Sequence, residues 1–253
     1  MIKQILLFFL LFQWFNLSQG VAQSNPKISI QPADREKMLA TASPRAMDVL
    51  KFWFEKWDQD KISGGRGEYN SKWFPEGHNP AHDDQRLREL FLDLFEKAVH
   101  QKLNWNIQQN PYDNLAWVLL TDQFPRGMFR GTPASYKYDK LALSAAKINV
   151  QKHFSNYYFT GYQKLFVTYP FMHDEKLESQ QECINLITEL NETPGFYYEF
   201  LLALKRAYEH YQMIAMFGRF PHRNKRLNRE STELEKIYLS KKGSPGYIDG
   251  SQW

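Results

Sequence analysis

Two stretches of this chain carry the residue types that hold anions and move protons. The first is Asp122-Gln123-Phe124-Pro125-Arg126, with Arg130 four residues further on. The second is Gly218-Arg219-Phe220-Pro221-His222-Arg223-Asn224. Both read Phe-Pro followed by basic residues, and both end an apolar helical run. The planar fork of arginine suits carboxylate and phosphate oxygens. Arg126, Arg130, Arg219 and Arg223, with Asn224 as donor and acceptor, are therefore the candidate ligand-binding residues. His222 titrates near neutrality and is a candidate acid or base, as are His173 and Asp122. Burial and the negative end of the preceding helix both disfavour a charge on Asp122. It needs a cation, and Arg126 lies four residues on. Two readings follow: an ion pair that only pins the turn, or a carboxylate that orients Arg126 or Arg130 toward a ligand.

Other candidates have simpler explanations. In His173-Asp174-Glu175, Asp174 reads as a helix N-cap and Glu175 complements the positive end of the same helix. Gln180 points toward the core and requires a partner. His78 and His82 are four apart, but Asn79-Pro80 starts a helix between them, so they do not share the face a metal pair needs. Asp83 and Asp84 complement that helix N-terminus, with Arg88 as a partner for Asp84. Cys183, the single cysteine, sits among apolar residues and reads as packing. Phosphate-loop, dinucleotide, zinc-protease and nucleophile-elbow motifs are all missing. No metal and no cofactor are expected.

The elements that must position these residues are helices. Ser43-Pro44, Asn79-Pro80, Asn110-Pro111, Thr132-Pro133 and Thr193-Pro194 each put a capping side chain before a proline, which marks a helix start. Asp174 looks like a sixth start, and Thr232-x-x-Glu235 forms a capping box for a seventh. Leu87, Leu90, Phe91, Leu94, Phe95 and Ala98 follow helical spacing, as do Phe200, Leu201, Leu204, Ala207, Tyr208, Tyr211, Ile214 and Ala215. Phe124-Pro125 is expected to break its helix and leave Arg126 and Arg130 in a turn. The aromatic run from Phe154 to Phe166 reads as irregular, with a short helix near Tyr162. The fold class is all-α, with about seven or more antiparallel helices and no derivable repeat period.

Residues 1–22 read as a secretory signal peptide: Lys3, an apolar run over 5–15, then Gly20-Val21-Ala22. The run is short of the ~20 residues a membrane span needs, although an uncleaved anchor is the alternative. Residues 23–42 read as a flexible leader, 43–240 as one helical domain and 241–253 as a tail. The expected location is periplasmic or secreted, without stable membrane insertion after cleavage. A net charge of +4 at pH 7 is too mild to imply nucleic acid.

Taken together, these stretches resemble domain-of-unknown-function family 924. The matching segments include Val49-Leu50-x-Phe52-Trp53-Phe54, Asp84-x-x-Leu87-Arg88, Asp122 to Thr132, Tyr169-Pro170-Phe171-Met172-His173 and Gly218 to Asn224. The resemblance implies a bacterial, all-helical, superhelical arrangement similar to tetratricopeptide repeats, and implies no activity. Departures fall at Gly127, Leu90 and Asp174, where the family pattern has Asn, Arg and Ser. Three functions remain open. The paired turns bind a small anionic molecule, with or without catalysis by His222 or His173. Alternatively, aromatic loops at Trp73 and Tyr157-Tyr158 bind an envelope protein or peptide. In the third, the motif residues are purely structural.

Overall fold

The computed structural model describes residues 32–54, 80–154, 158–191 and 197–241. The signal-peptide reading, the loop carrying Trp73 and His78, Tyr157, Thr193-Pro194 and the tail from 242 lie outside the described residues. So do the side chains of His82 and Asp83. The described elements are helices α1 (Pro32–Thr41), α2 (Pro44–Phe54), α3 (Pro80–Val99), α4 (Pro111–Thr121), α5 (Gln123–Met128), α6 (Asp139–Lys152), α7 (Gly161–His173), α8 (Leu177–Asn191), α9 (Tyr197–Phe217) and α10 (Glu233–Ser240). Single 3₁₀ turns stand at Pro133–Ser135 and Pro221–Arg223. No strand occurs among the described residues. None of their helices is long and apolar enough to cross a membrane.

Helix α4 forms the centre, and every one of its residues is buried. It packs against α2, α6, α7, α3 and α5. Such a helix must satisfy its own ends. Asn110 accepts from the backbone N–H groups of Tyr112 and Asp113 and places Pro111 at the first position. The Asp113 carboxylate accepts from Ser43 N (2.7 Å), Ser43 Oγ (3.0 Å) and Asn106 N (2.9 Å), tying the start of α2 to the start of α4. The capping box at Thr232 and Glu235 is present.

Several expectations are corrected. Phe124-Pro125 does not end the helical path. The chain kinks at Asp122 and resumes as α5, because Pro125 falls in the first turn, where its missing N–H is not needed. Arg126 is therefore helical and buried. The Phe154–Phe166 region is more regular than expected: α7 starts at Gly161 from a capping box in which Thr160 accepts from Gln163 N. Asp174 does not cap α8. It terminates α7, and its carboxylate accepts from Ser179 Oγ at 2.6 Å. Thr132-Pro133 opens only a 3₁₀ turn. Residues 32–41, placed by composition in the leader, form α1. There Met38 O accepts from Asn110 Nδ2, and Met38 and Leu39 lie against the core. On the apolar faces, Leu90, Leu201 and Ala215 are exposed, whereas Leu87, Phe91, Leu94, Phe200, Ala207 and Ile214 are buried.

Candidate functional site

Each Phe-Pro turn is fixed by its phenylalanine. Phe124 is fully buried against Trp53 (ring centroids 5.6 Å) and Phe91 (5.2 Å). Phe220 is fully buried against His210 (5.4 Å). With these rings anchored, the arginine behind each turn is aimed inward. The two meet. Arg126 forms a two-pronged pair with Asp139 at 3.0 and 3.1 Å. Its Nη1 also reaches Asp122 Oδ1 (3.2 Å) and donates to the Asp122 carbonyl (2.6 Å). Arg223 Nη1 donates to the same Asp139 (3.3 Å) and to the carbonyl of His173 (3.1 Å). Tyr136 completes the centre. Arg223 lies 4.6 Å and Arg126 5.9 Å from its ring centroid, and its hydroxyl accepts from Arg226 Nη1 at 2.7 Å.

The other two arginines go elsewhere. Arg130 is half-exposed and pairs with Asp84 through Nε (2.6 Å) and Nη2 (2.9 Å). Arg219 pairs with Glu235 (2.7 and 2.8 Å) and donates to Glu230 O. They are clasps between elements rather than members of the centre. Arg88, expected beside Asp84, donates instead to Met128 O at the end of α5. Asn224 is buried, and its Nδ2 donates to Ser231 Oγ at 3.1 Å. His222 is half-buried, its ring 5.6 Å from that of Phe220. Glu175 does not serve the helix start as expected. It accepts from Phe220 N (2.8 Å) and from Arg229 (2.6 and 3.0 Å), holding the second turn against the end of α7. Gln180 finds partners in the carbonyls of Phe171, Met172 and Asp174.

The remaining candidates, Asp122 and His173, touch. His173 Nδ1 lies 2.8 Å from Asp122 Oδ1, with both side chains buried. Asp122 Oδ2 accepts from Gln123 Nε2. Burial alone would raise the Asp122 carboxyl, but Arg126 and His173 outweigh it and hold it down to about 2. His173 is pushed below its ordinary value by burial and by Arg126, against the opposing pull of Asp122. The centre thus holds an ionised carboxylate and a neutral imidazole. Cys183 is buried, and burial raises its thiol to about 12. Among the described residues no group of three or more His, Cys, Asp or Glu is placed to hold a metal ion.

Three members were missed from sequence: Asp139, Tyr136 and Arg226. Asp139 lies 13 residues from Arg126 and 84 from Arg223, and no local spacing links an acid to partners so distant. Arg226 had a visible signal, since it lies three residues after Arg223 in the same basic run.

Two consequences are directly measurable. If the centre braces the helices, a double-mutant cycle between Asp122 and Arg126, read by urea unfolding, is expected to give a coupling of about 1–3 kcal/mol. Additive effects would show that the pair contributes nothing jointly. At Gly127 an added Cβ would lie 2.8 Å from Leu87 Cδ1 and 2.9 Å from Asp84 Oδ1. Leu87 is packed and Asp84 is held by Arg130. Gly127→Ala should therefore destabilise by about 1–3 kcal/mol, exceeding the ~1 kcal/mol gain in helix propensity. A raised thermal midpoint would mean that Asp84 moves aside cheaply. The same two side chains would have to shift for any larger residue at this position. Leu90, the second departure, is exposed on α3 and lines an open depression of about 340 Å³ with Gln85, Arg86 and Glu89.

Fold and centre together define an all-helical domain crossed by a buried Arg-Asp-His network. Residues 49–243 match the family described as bacterial protein of unknown function, DUF924. The chain belongs to that family. It is also similar to the solved structure of a protein of unknown function from Agrobacterium tumefaciens, at 30% identity and a TM-score of 0.60. That match covers 78% of this chain and 97% of the other. No curated protein matches the chain.

Proposed function

We propose that the domain binds a small carboxylate- or phosphate-bearing molecule at the arginine cluster around Tyr136. The observation that carries this reading is the charge of the cluster. Arg126, Arg223 and Arg226, with Arg229 beside them, face three carboxylates, Asp122, Asp139 and Glu175, and Arg226 is satisfied by a neutral hydroxyl. The excess is one positive charge, on a side chain that is only partly buried. An anion arriving from solvent can meet Arg226 without displacing an existing ion pair. Arg130 and Arg219 leave the site under this reading, because their carboxylate partners, Asp84 and Glu235, hold them outside the cluster around Tyr136. The envelope-partner alternative loses one contact residue, since Tyr158 is buried and its carbonyl accepts from Tyr112 Oη.

Thermal shift with inorganic phosphate, citrate and a panel of small carboxylates tests the proposal. A specific anion should raise the melting temperature of the wild type. Arg226→Ala should abolish that shift while lowering basal stability by about 1 kcal/mol or less, as expected for a partly exposed cation with no carboxylate partner. Arg219→Ala should keep it. The reading fails if no anion stabilises the protein, or if Arg226→Ala responds like the wild type. Export to the cell envelope is a further part of the proposal. It rests on the basic, apolar and small-residue pattern of residues 1–22, and cell fractionation with N-terminal sequencing checks it.

A further inference from the structure

We infer that Asp122 and His173 form a proton-accepting dyad whose working atom is His173 Nε2, directed at a hydroxyl or water on a ligand held by the arginine cluster. The inference rests on the proposed anion site for the position of that ligand.

The tautomer follows from the partners. An ionised carboxylate only accepts, so the 2.8 Å contact between His173 Nδ1 and Asp122 Oδ1 places the proton on Nδ1. Nε2 then carries a lone pair. His173 is 1% exposed, and its Nε2 has no hydrogen-bond donor in the protein. An interior rarely leaves such an acceptor unmatched. A role in closing α7 does not account for it, because Gln180 already serves the last carbonyls of that helix.

The surroundings say what would complement it. Arg126 shares Asp122 Oδ1 with His173, and Arg223 donates to the His173 carbonyl. Both arginines are buried, and the Nε–H of each also lacks a partner. One lone pair and two cationic N–H donors thus lie buried and unpaired on three linked side chains. They match an O–H group that gives up its proton and keeps negative charge on oxygen. In that step a bond forms between Nε2 and the proton, and the O–H electron pair stays on the oxygen. Asp122 offsets the imidazolium, and the proton later leaves to product or solvent. Nothing is oxidised or reduced. Asp122 is the positioning residue. Burial and Arg126, which keep His173 neutral, leave the lone pair available near pH 7.

Acylation of the intact protein by diethyl pyrocarbonate at neutral pH, followed by peptide mass spectrometry, tests this. The reagent attacks an accessible imidazole lone pair. His173, whose Nδ1 is backed by the Asp122 carboxylate, should be labelled severalfold faster than His210, which is slightly less buried but has Nδ1 backed only by the neutral Arg206 carbonyl. Inorganic phosphate should slow labelling of His173 and not of exposed His100. Asp122→Asn, if it folds, should slow it as well. The dyad is overturned if His173 stays unlabelled while His100 and His222 react fully, or if it reacts no faster than His210. It is also overturned if phosphate stabilises the protein through Arg226 yet leaves His173 labelling unchanged. Absence of any phosphate-induced thermal shift, with His173 still labelled ahead of His210, would instead overturn the anion site.

Discussion

Arg126→Ala is expected to destabilise the domain by roughly 3–5 kcal/mol, because it leaves buried carboxylates without their main cation. For a domain of this size that is a fall in melting temperature of about 6–20 °C. The guanidinium touches both acids of the centre, at 3.2 Å for Asp122 and 3.0 Å for Asp139. Asp122 is fully buried. After truncation it would retain only neutral partners, His173 and Gln123, while Asp139 would keep Arg223 at 3.3 Å. Arg130→Ala is the matched control. That arginine also makes a two-pronged pair, with Asp84, whose carboxylate is buried. The guanidinium itself is half-exposed, so solvent reaches the carboxylate once it is removed, and a smaller loss of about 1–2 kcal/mol is expected. Urea unfolding of the two variants side by side measures the difference. Equal losses would mean that solvent or a shifted arginine screens the two acids, and that the network is not a brace.

The second large effect is a steady loss of stability in mild acid. His210, His153 and His173 are all buried, and burial pushes each below its ordinary value, His210 to about 3 and His153 to about 4. A group whose folded value is depressed contributes fully above its unfolded pKa and loses that contribution as pH falls through the folded value. For the histidines the window opens near 6.5 and runs down to about 4 for His153 and about 3 for His210. Asp122, lowered from 3.8 to about 2, loses its contribution only between those two values. Its share, about 2 kcal/mol, belongs to the lowest part of the range. At one pKa unit to ~1.4 kcal/mol, the histidines together place several kcal/mol at risk by about pH 4. Urea midpoints at pH 7.5, 6, 5 and 4 should fall throughout, and His210→Phe should flatten the slope. A midpoint unchanged between pH 7.5 and 5 would show that the buried histidines charge without penalty.

The two predictions depend on different features. Truncating Arg126 removes a charge partner, whereas acid adds charge to rings that are buried. His210 shows the second clearly, since its ring packs on Phe220 and its Nδ1 faces only a backbone carbonyl. The Phe-Pro turn that aims Arg223 inward therefore also walls off the histidine that titrates.

Much of the fold was legible from the chain. Helix starts at Pro44, Pro80 and Pro111 and the capping box at Thr232 are interactions within a few residues, so local spacing is enough to state them. The apolar run that ends at Asp122 was also visible, and it forms α4, every residue of which is buried. Sequence erred where a local signal has two outcomes. Proline breaks a helix in mid-run but is harmless in a first turn, and only the kink at Asp122 decides which applies to Pro125. Asp174 has the composition of a cap, yet its carboxylate holds Ser179 instead.

For the site, residue type selected Asp122, Arg126, His173 and Arg223, because carboxylate, guanidinium and imidazole at helix ends need partners wherever they fall. Tertiary structure chose those partners. It brought His173 to Asp122 across 51 residues and Arg223 to Asp139 across 84, and it sent Arg130 and Arg219 to Asp84 and Glu235. An arginine carries the same charge and fork in any of these pairings. Which carboxylate it meets depends on how α4 through α7 and the second Phe-Pro turn pack around Tyr136, and that packing is a property of the folded chain, not of any short stretch of it.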